Sequence, residues 1–397
     1  RAYNGGIITP FYWDLENYCV ANNPKMESEK LYTKEELEQK LKERLEDPDI
    51  RNNPYYLRIL SAPRKHTAFT DMLLHPTDGP FWWERSAYTK YDKIEVPVYE
   101  GGFWGMYAFT SAVFEAFTDP SLNVAKKAGM FTYWTRISFP FREMNEEILR
   151  WYDHWLKGVD TGIMDEPPIK LFVMGINKFR YEWEWPLART RWTKFYLRRF
   201  GELSEAPEGD RDIPPDGLLH KPPTVSNEVQ ALRYSTPPLT EAVEVTGPIA
   251  LYLHASIDQE DANFIVRLWD VYPNGERFLL ESGFLKASHR ALDEEKSKPW
   301  RPYHTHMNPE PVKPGEIYKY AISIPPISNV FMPNHRIELE ITTMDPLPQI
   351  AAPMRMPLMG HLPSSRLIFY KIYRDAEYPS HLLLPIIPET PQEAYIS

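Results

Sequence analysis

The spacing of hydrophobic residues changes twice along the chain. Over residues 23–90 it is helical: Leu37, Leu41 and Leu45 fall at i, i+4 and i+8 and so share one helix face. Thr33-Lys-Glu-Glu36 ahead of them is a capping box, in which hydroxyl and carboxylate satisfy the free amides of a helix start. Asp47-Pro48 ends that helix. Asn53-Pro54 and His75-Pro76 interrupt the next stretch, and Phe81-Trp82-Trp83 closes it. Residues 1–22, punctuated by Gly5-Gly6 and Pro10, read as a turn and extended lead-in. Between 93 and 157 the order is strand, helix, strand, helix, carried by KIEVPVYEGG, YAFTSAVFEAFTD, NVAKKAGMFTYW and FREMNEEILRWYDHWLKG. In the last of these Met144, Ile148, Trp151, Tyr152 and Trp155 recur at helical spacing, and Gly158 stands where a C′ glycine belongs. This order predicts two parallel strands joined by a right-handed crossover.

From about residue 166 the period becomes two. Ile249, Leu251 and Leu253 alternate with Tyr252 and His254. Phe264, Val266 and Leu268 flank Arg267, and Ile337, Leu339 and Ile341 alternate with Glu338, Glu340 and Thr342. These are half-buried antiparallel strands. Further strands are predicted at PIKLFVMG, WTKFYLRR, RFLLESGFLK, EIYKYAISI and SRLIFYKIYR. Asn274-Gly275 predicts a type I′ hairpin. Residues 200–232, polar and proline-rich, read as a surface excursion. About eight strands with long connections predict a two-sheet jelly roll.

The strand-helix-strand-helix unit is too small to stand alone. Two parallel strands and two helices bury too little to offset backbone ordering at about 1–2 kcal/mol per residue, and parallel sheets are normally larger and covered on both faces. The unit is expected to be the end of a larger sheet, pairing with a further N-terminal segment or another copy of the chain, or leaning on the sandwich.

Composition narrows the function classes. With 45 Lys+Arg against 55 Asp+Glu the net charge is −10, which argues against a nucleic-acid partner. No apolar run approaches the ~20 residues of a membrane span. A single cysteine, Cys19, leaves no intrachain disulfide or cysteine zinc site and, with no targeting signal in view, leans toward the cytoplasm. The 39 prolines suit loops and sheet edges and oppose a helical bundle. No phosphate loop or dinucleotide fingerprint appears, so no cofactor is expected.

Several segments together resemble the α/β-hydrolases related to cocaine esterase, α-amino-acid ester hydrolase and X-Pro dipeptidyl-peptidase, the CocE/NonD type. They are AYNGGI, FWWERSAY with KIEVPVYEGG, ILRWYDHWLKGVDTGIMDEPPIKLFVMG, STPPLTEAVEVTGPIALYLHAS, SGFLKASHR and PSHLLLPIIP. The resemblance implies a fold of α/β plus all-β class, the C-terminal two-thirds of such an enzyme. Residues 1–22 would be a lead-in from the hydrolase core, 23–90 a helical cap, 91–165 the last strands and helices of a truncated α/β-hydrolase sheet, and 166–397 a jelly-roll sandwich. It also implies hydrolysis of a small acyl ester or peptide by a Ser-His-Asp triad, with the serine on a G-x-S-x-G turn.

That turn is not found, and the nucleophile is expected upstream of Arg1. The family's acid follows the strand equivalent to KIEVPVYEGG, where this chain has Gly101-Gly102-Phe103-Trp104-Gly105, so Gly105 takes the acid's position. Its histidine follows the next strand, where Trp134 and Thr135 stand instead. An error in the sequence over 124–140, a degenerate homologue and a relocated constellation all remain open. The chain is expected to be inactive alone, a pseudoenzyme. The alternative is a non-catalytic jelly-roll protein for binding or assembly. By the same resemblance Trp82, Trp83, Phe103, Trp104 and Tyr107 fall in pocket-forming regions, although core packing explains them too. Ser86, His154, the Asp71/His75/Asp78 group, His304 with His306, and Glu146-Glu147 read as structural or solvated side chains, not catalytic or metal-binding ones.

Overall fold

The computed structural model describes residues 3–9, 25–138, 142–226, 228–346, 350–351, 356–357, 360–388 and 395–396; Pro10 and Cys19 lie outside them. After a short hairpin (residues 3–8) come helices α1 (Lys34–Glu46), α2 (Pro54–Ser61) and α3 (Thr67–Leu74) with single-turn pieces between them. The capping box forms as predicted: Thr33 Oγ1 accepts from Glu36 N (3.2 Å) while Glu36 Oε2 accepts from Thr33 N (2.8 Å). Ile50, Tyr56, Ile59, Phe69 and Leu73 build a small separate core, joined by Ile8 of the hairpin and by Leu362.

Strands β1 (Val98–Trp104) and β2 (Lys126–Tyr133) are parallel, with α4 (Tyr107–Thr118) between them in sequence and α5 (Asn145–Lys157) after. The two central glycines let these helices approach from opposite faces. A Cβ on Gly101 would meet Met144 just ahead of α5, and one on Gly102 would meet Val113 of α4. Gly158 ends α5 in the left-handed conformation. Only part of the predicted α5 face is interior: Trp151 is buried against Tyr99, whereas Ile148, Tyr152 and Trp155 are 38–53% exposed. Conversely Glu147, expected on a charged outer face, is buried and accepts from Tyr99 Oη (2.9 Å) and Lys170 Nζ (2.8 Å).

The sheet does not stop at residue 165. β3 (Ile169–Val173) pairs parallel with β2, and β4 (Lys178–Glu182) pairs antiparallel with β3. Residues 395–396 add a last antiparallel strand, completing five. PIKLFVMG therefore crosses the expected boundary. Its near-continuous apolar run suits a strand buried between neighbours, which alternation alone does not distinguish from a sandwich strand. Among the described residues the outer edge of β1 is unpaired.

The remaining strands form a β-sandwich: β5 (Arg191–Arg198), β6 (Glu202–Ser204), β7 (Asp216–His220), β8 (Ala231–Ser235), β9 (Val243–Ile257), β10 (Asn263–Val271), β11 (Arg277–Lys286), β12 (Tyr318–Phe331), β13 (Arg336–Thr342), β14 (Ile368–Tyr373) and β15 (His381–Ile387). Their order is β11-β10-β13-β8-β6-β5-β15-β9-β14-β7, with β12 on the long β9. Residues 200–232, expected as an excursion, supply β6 and β7, whose Leu203 and Leu218 are buried. Asn274-Gly275 closes the β10–β11 hairpin, but only Gly275 has positive φ. Gly275 N donates to Tyr272 O and Tyr272 N to Glu276 O, a three-residue loop with a glycine bulge in place of the two-residue type I′ turn.

The two layers share one core, which runs from Trp104, Phe114, Met130 and Leu171 into Leu251, Ile322 and Leu339. The five-stranded sheet thus leans on the sandwich. Met174 pairs with the sandwich strand β12 through Met174 N–Ser328 O and Val330 N–Met174 O, both 2.9 Å. Gly175 follows at φ +82°, with Val330 O only 2.1 Å from where a Cβ would stand. Deeper in, Arg180 of β4 grips Glu244 of β9 bidentately (2.7 and 2.9 Å), and Thr246 Oγ1 and Tyr395 Oη donate to the same carboxylate. Both charged partners are nearly inaccessible. Arg180→Met is therefore expected to lower unfolding stability by about 3–5 kcal/mol, because it strands a buried carboxylate. The Arg180→Met/Glu244→Met double variant should recover most of the loss in denaturant titrations.

Candidate functional site

The C-terminal ends of β1 and β2, where strand-end loops can present side chains, are occupied mainly by packing. Gly105 follows β1 at φ +78°, a conformation that a side chain disfavours. A Cβ on it would lie 2.3 Å from the Tyr133 ring and 2.8 Å from Trp134 Cδ1. Tyr133, the last residue of β2, is buried. It rests on Phe278 (4.7 Å between centroids) and donates to Leu279 O (2.7 Å). Its ring thus fills the volume that an acid at position 105 would need. Trp134 packs against the core, and Thr135 is exposed in the turn after β2.

The aromatic residues do not gather at one pocket. Trp104 is fully buried, stacks on Phe114 (5.9 Å) and donates Nε1–H to Phe172 O (2.6 Å); it is core. Phe103 is half-buried at the end of β1. Trp82, half-buried, donates to His75 O (3.0 Å) and lies edge-on to Tyr3, with Trp83 beside it. A cavity of about 490 Å³ among the helices is lined by Tyr32, Arg44, His75 and Phe81, not by the two tryptophans. Tyr107 opens α4 against Phe284 (4.7 Å) and His361 (5.6 Å).

Around Tyr107 the structure assembles polar groups that no local motif announces. His361 Nδ1 and Asp345 Oδ2 are 2.8 Å apart, and His361 Nε2 is 3.2 Å from Asn4 Nδ2 in the N-terminal hairpin. The imidazole stacks on Phe284 (4.0 Å). Asp345 also accepts from Arg267 Nη2 (2.6 Å). Burial opposes its ionisation, but His361 and Arg267 outweigh that and hold the carboxyl below its ordinary range. Glu281, on β11, is wholly enclosed. Oε1 accepts from Ser282 N (2.9 Å), while Oε2 has no hydrogen-bond partner. Burial pushes its carboxyl up to about 8, against the lowering effect of the bond from Ser282 N and of the nearby Thr110 hydroxyl. Tyr107 is held protonated far above its usual range by burial, then by the neighbouring Asp345; Glu281 adds to the effect.

The other sequence candidates have structural roles. Ser86 Oγ donates to Trp82 O (2.7 Å). Asp71 accepts from Glu27 N, Ser28 N and Ser28 Oγ and so fastens a helix start. His75 bonds to Asp71 O and Tyr32 Oη and stacks on Phe81 at 3.8 Å. Asp78 joins the sandwich through its amide, which donates to His306 O. His154 lies edge-on to Trp155. His306 Nδ1 is 3.1 Å from His289 Nδ1, and His304 Nε2 bonds to Ala321 O. Among the described residues no group of three or more His, Cys, Asp or Glu side chains converges as a metal site, and no helix is long and apolar enough to cross a membrane.

Residues 161–383 match the family of X-Pro dipeptidyl-peptidase C-terminal non-catalytic domains. Cocaine esterase of Rhodococcus sp. is 29% identical over 285 residues, which cover 63% of this chain and 47% of that protein. The chain spans about half the length of the curated relatives it matches. A CocE/NonD family hydrolase from Staphylococcus aureus superposes with a TM-score of 0.71 at 17% identity over 97% of this chain and 65% of its own. An aminopeptidase from a marine sediment thaumarchaeote gives 0.66 at 18% identity over 85% and 63%. At these identities the structural likeness speaks for the fold.

Glu281 yields a pH signature. Its carboxyl titrates near 4.5 when unfolded and near 8 when folded, so between those values the folded chain holds a proton that the unfolded chain has lost. Its contribution is fully present below about pH 4.5 and is lost as pH rises through 8, on the order of 5 kcal/mol in all. Glu281→Gln should flatten that slope, raising the melting temperature relative to the parent at pH 8 and hardly at all at pH 5.

Proposed function

The chain belongs to the X-Pro dipeptidyl-peptidase C-terminal family, within the cocaine esterase and CocE/NonD hydrolases, and from that premise we propose that it supplies a cap, the closing strands of a truncated α/β-hydrolase sheet and a jelly roll, but no working acyl-transfer triad. Ancestrally the chemistry is hydrolysis of a small acyl ester or peptide: a serine attacks the carbonyl, a histidine takes its proton, and an acid orients the imidazole. The observation that carries the proposal is Gly105. Its backbone sits in the left-handed region, and the Tyr133 ring stands where a side chain would go, so the acid is replaced by packing rather than by another polar group. The histidine position passes to Trp134 and the exposed Thr135. A serine nucleophile would have to come from a segment beyond these residues, and the edge of β1, unpaired among the described residues, is where a larger sheet would continue. The same edge would equally accept a second copy of the chain.

A second reading is favoured by the Asp345–His361 pair beside Tyr107. Here base and orienting acid are relocated onto the sandwich and await an external serine. Asn4 covers the second ring nitrogen of His361, so the pair would have to open before it could act, which makes this the lesser reading.

Two measurements test the proposal. The 397-residue chain should show no labelling by a fluorophosphonate probe and no p-nitrophenyl ester turnover above the buffer rate. Labelling abolished by Ser86→Ala, or turnover by the chain alone abolished by His361→Ala, would overturn it. Gly105→Asp should restore no activity and should cost about 3 kcal/mol or more of stability, from backbone strain and displacement of Tyr133.

A further inference from the structure

Helix α5 turns most of its apolar face outward. In helical projection Trp155, Ile148, Tyr152, Leu156 and Leu149 follow one another within an arc of about 120° centred on Tyr152. Leu156 is 76% exposed and Leu149 57%; the other three are the partly exposed residues of the predicted face. A stripe of that width is what a helix ordinarily lays on a core, yet the sheet takes only its margin, Trp151, which is buried edge-on to Tyr99 of β1 (5.3 Å). Exposure on this scale leaves on the order of 500 Å² of apolar surface in one patch, at the upper end for a monomer and typical of an interaction surface.

The contacts on the other sides of α5 fix the direction of the stripe. Glu147, beneath the helix, bonds to Tyr99 of β1 and Lys170 of β3. Arg150 stands nearly opposite Tyr152 in projection and donates to Glu166 Oε1 (2.6 Å) and Thr161 O (3.2 Å), both ahead of β3. The back of α5 therefore leans toward β3, and the stripe looks outward past β1, whose outer edge is unpaired among the described residues. Val96, 65% exposed, stands just before that edge begins.

Charges border the stripe on the flank away from the sheet. Glu146 in the first turn and Lys157 in the last are both exposed and lie within about 20° of each other in projection; Lys157 also pairs with Asp153 of its own helix (2.6 Å). A second α5 laid antiparallel, about a two-fold axis through Tyr152, sets each Glu146 beside the Lys157 of the other copy. It also brings Ile148 and Leu149 level with Leu156 and Trp155 of that copy, and it opposes the two helix dipoles. The flanking charges and the edge of β1 supply the rest of the about 800 Å² per partner that a stable dimer takes.

We propose that two copies of the chain associate through this face, α5 against α5 in antiparallel two-fold pairing, and that the association covers the open edge of β1. The pairing rests on the open edge of the truncated sheet proposed above, with a second copy as its occupant, and not on the state of the triad. Sedimentation reads the first and ester or probe assays the second, so the two can fail separately.

The test is sedimentation velocity of the 397-residue chain over about 1–100 µM. A species of twice the chain mass should dominate by about 10 µM. Tyr152→Glu and Leu156→Glu, both at exposed positions, should leave the circular dichroism spectrum unchanged and weaken association at least about tenfold, because each places two carboxylates in the apolar contact. Glu146→Lys and Lys157→Glu should each weaken it severalfold, and the two changes together should restore it, a recovery specific to the antiparallel arrangement. A chain still monomeric at about 100 µM, the result expected if this face serves a different protein segment, would overturn the pairing. So would a dimer that both glutamate variants leave intact, or a double reversal that recovers nothing.

Discussion

The architecture depends on an ion pair that crosses between layers. Arg180 comes from the five-stranded sheet and Glu244 from the longest strand of the sandwich, and each is nearly inaccessible to water. Two charges can be taken out of water only when their geometry is good and their remaining polar atoms are satisfied. Here the guanidinium is bidentate and Thr246 and Tyr395 complete the carboxylate, while Arg180 Nε makes no hydrogen bond but has the Glu182 carboxylate 2.7 Å away as a counter-charge. Such a cluster tolerates little sliding, so it sets the relative placement of layers whose apolar contacts alone would permit neighbouring arrangements. The Met174–Gly175 connection to Val330 works to the same end through the backbone.

How much of this was legible in the sequence depended on range. Features decided within a few residues were readable: the Thr33–Glu36 capping box, the left-handed Gly158, the alternation of β9, β10 and β13. Features decided by tertiary partners were not. PIKLFVMG has the composition of any buried strand, and only pairing with β2 makes it parallel. Leu203 and Leu218 lie among prolines and acids, yet each has an interior to fill. Trp155 follows the helical spacing of Trp151 but turns partly to solvent, and Glu147 is drawn inward by Tyr99 and Lys170.

The candidate site obeys the same rule. Gly105 stood out because a family pattern named its position; its cause, the Tyr133 ring, lies 28 residues further along the chain. Asp345, His361, Glu281 and Asn4 come from four distant segments, and no spacing links them. Trp104 and Tyr107 looked alike as aromatic residues near a strand end. One is sealed in the core, and the other faces a buried polar cluster.

The shared core of the two layers has a mechanical corollary. A continuous interior crossed by a charge clamp and a backbone bridge offers no hinge between them, so they should diffuse and vibrate as a single rigid body. The helical region is built otherwise. Its own hydrophobic centre is small and is tied to the rest partly through Ile8 and Leu362, single side chains acting as pegs. Any breathing slow and wide enough to admit a guest beneath the helices would be spent on withdrawing those pegs, leaving the sheets still.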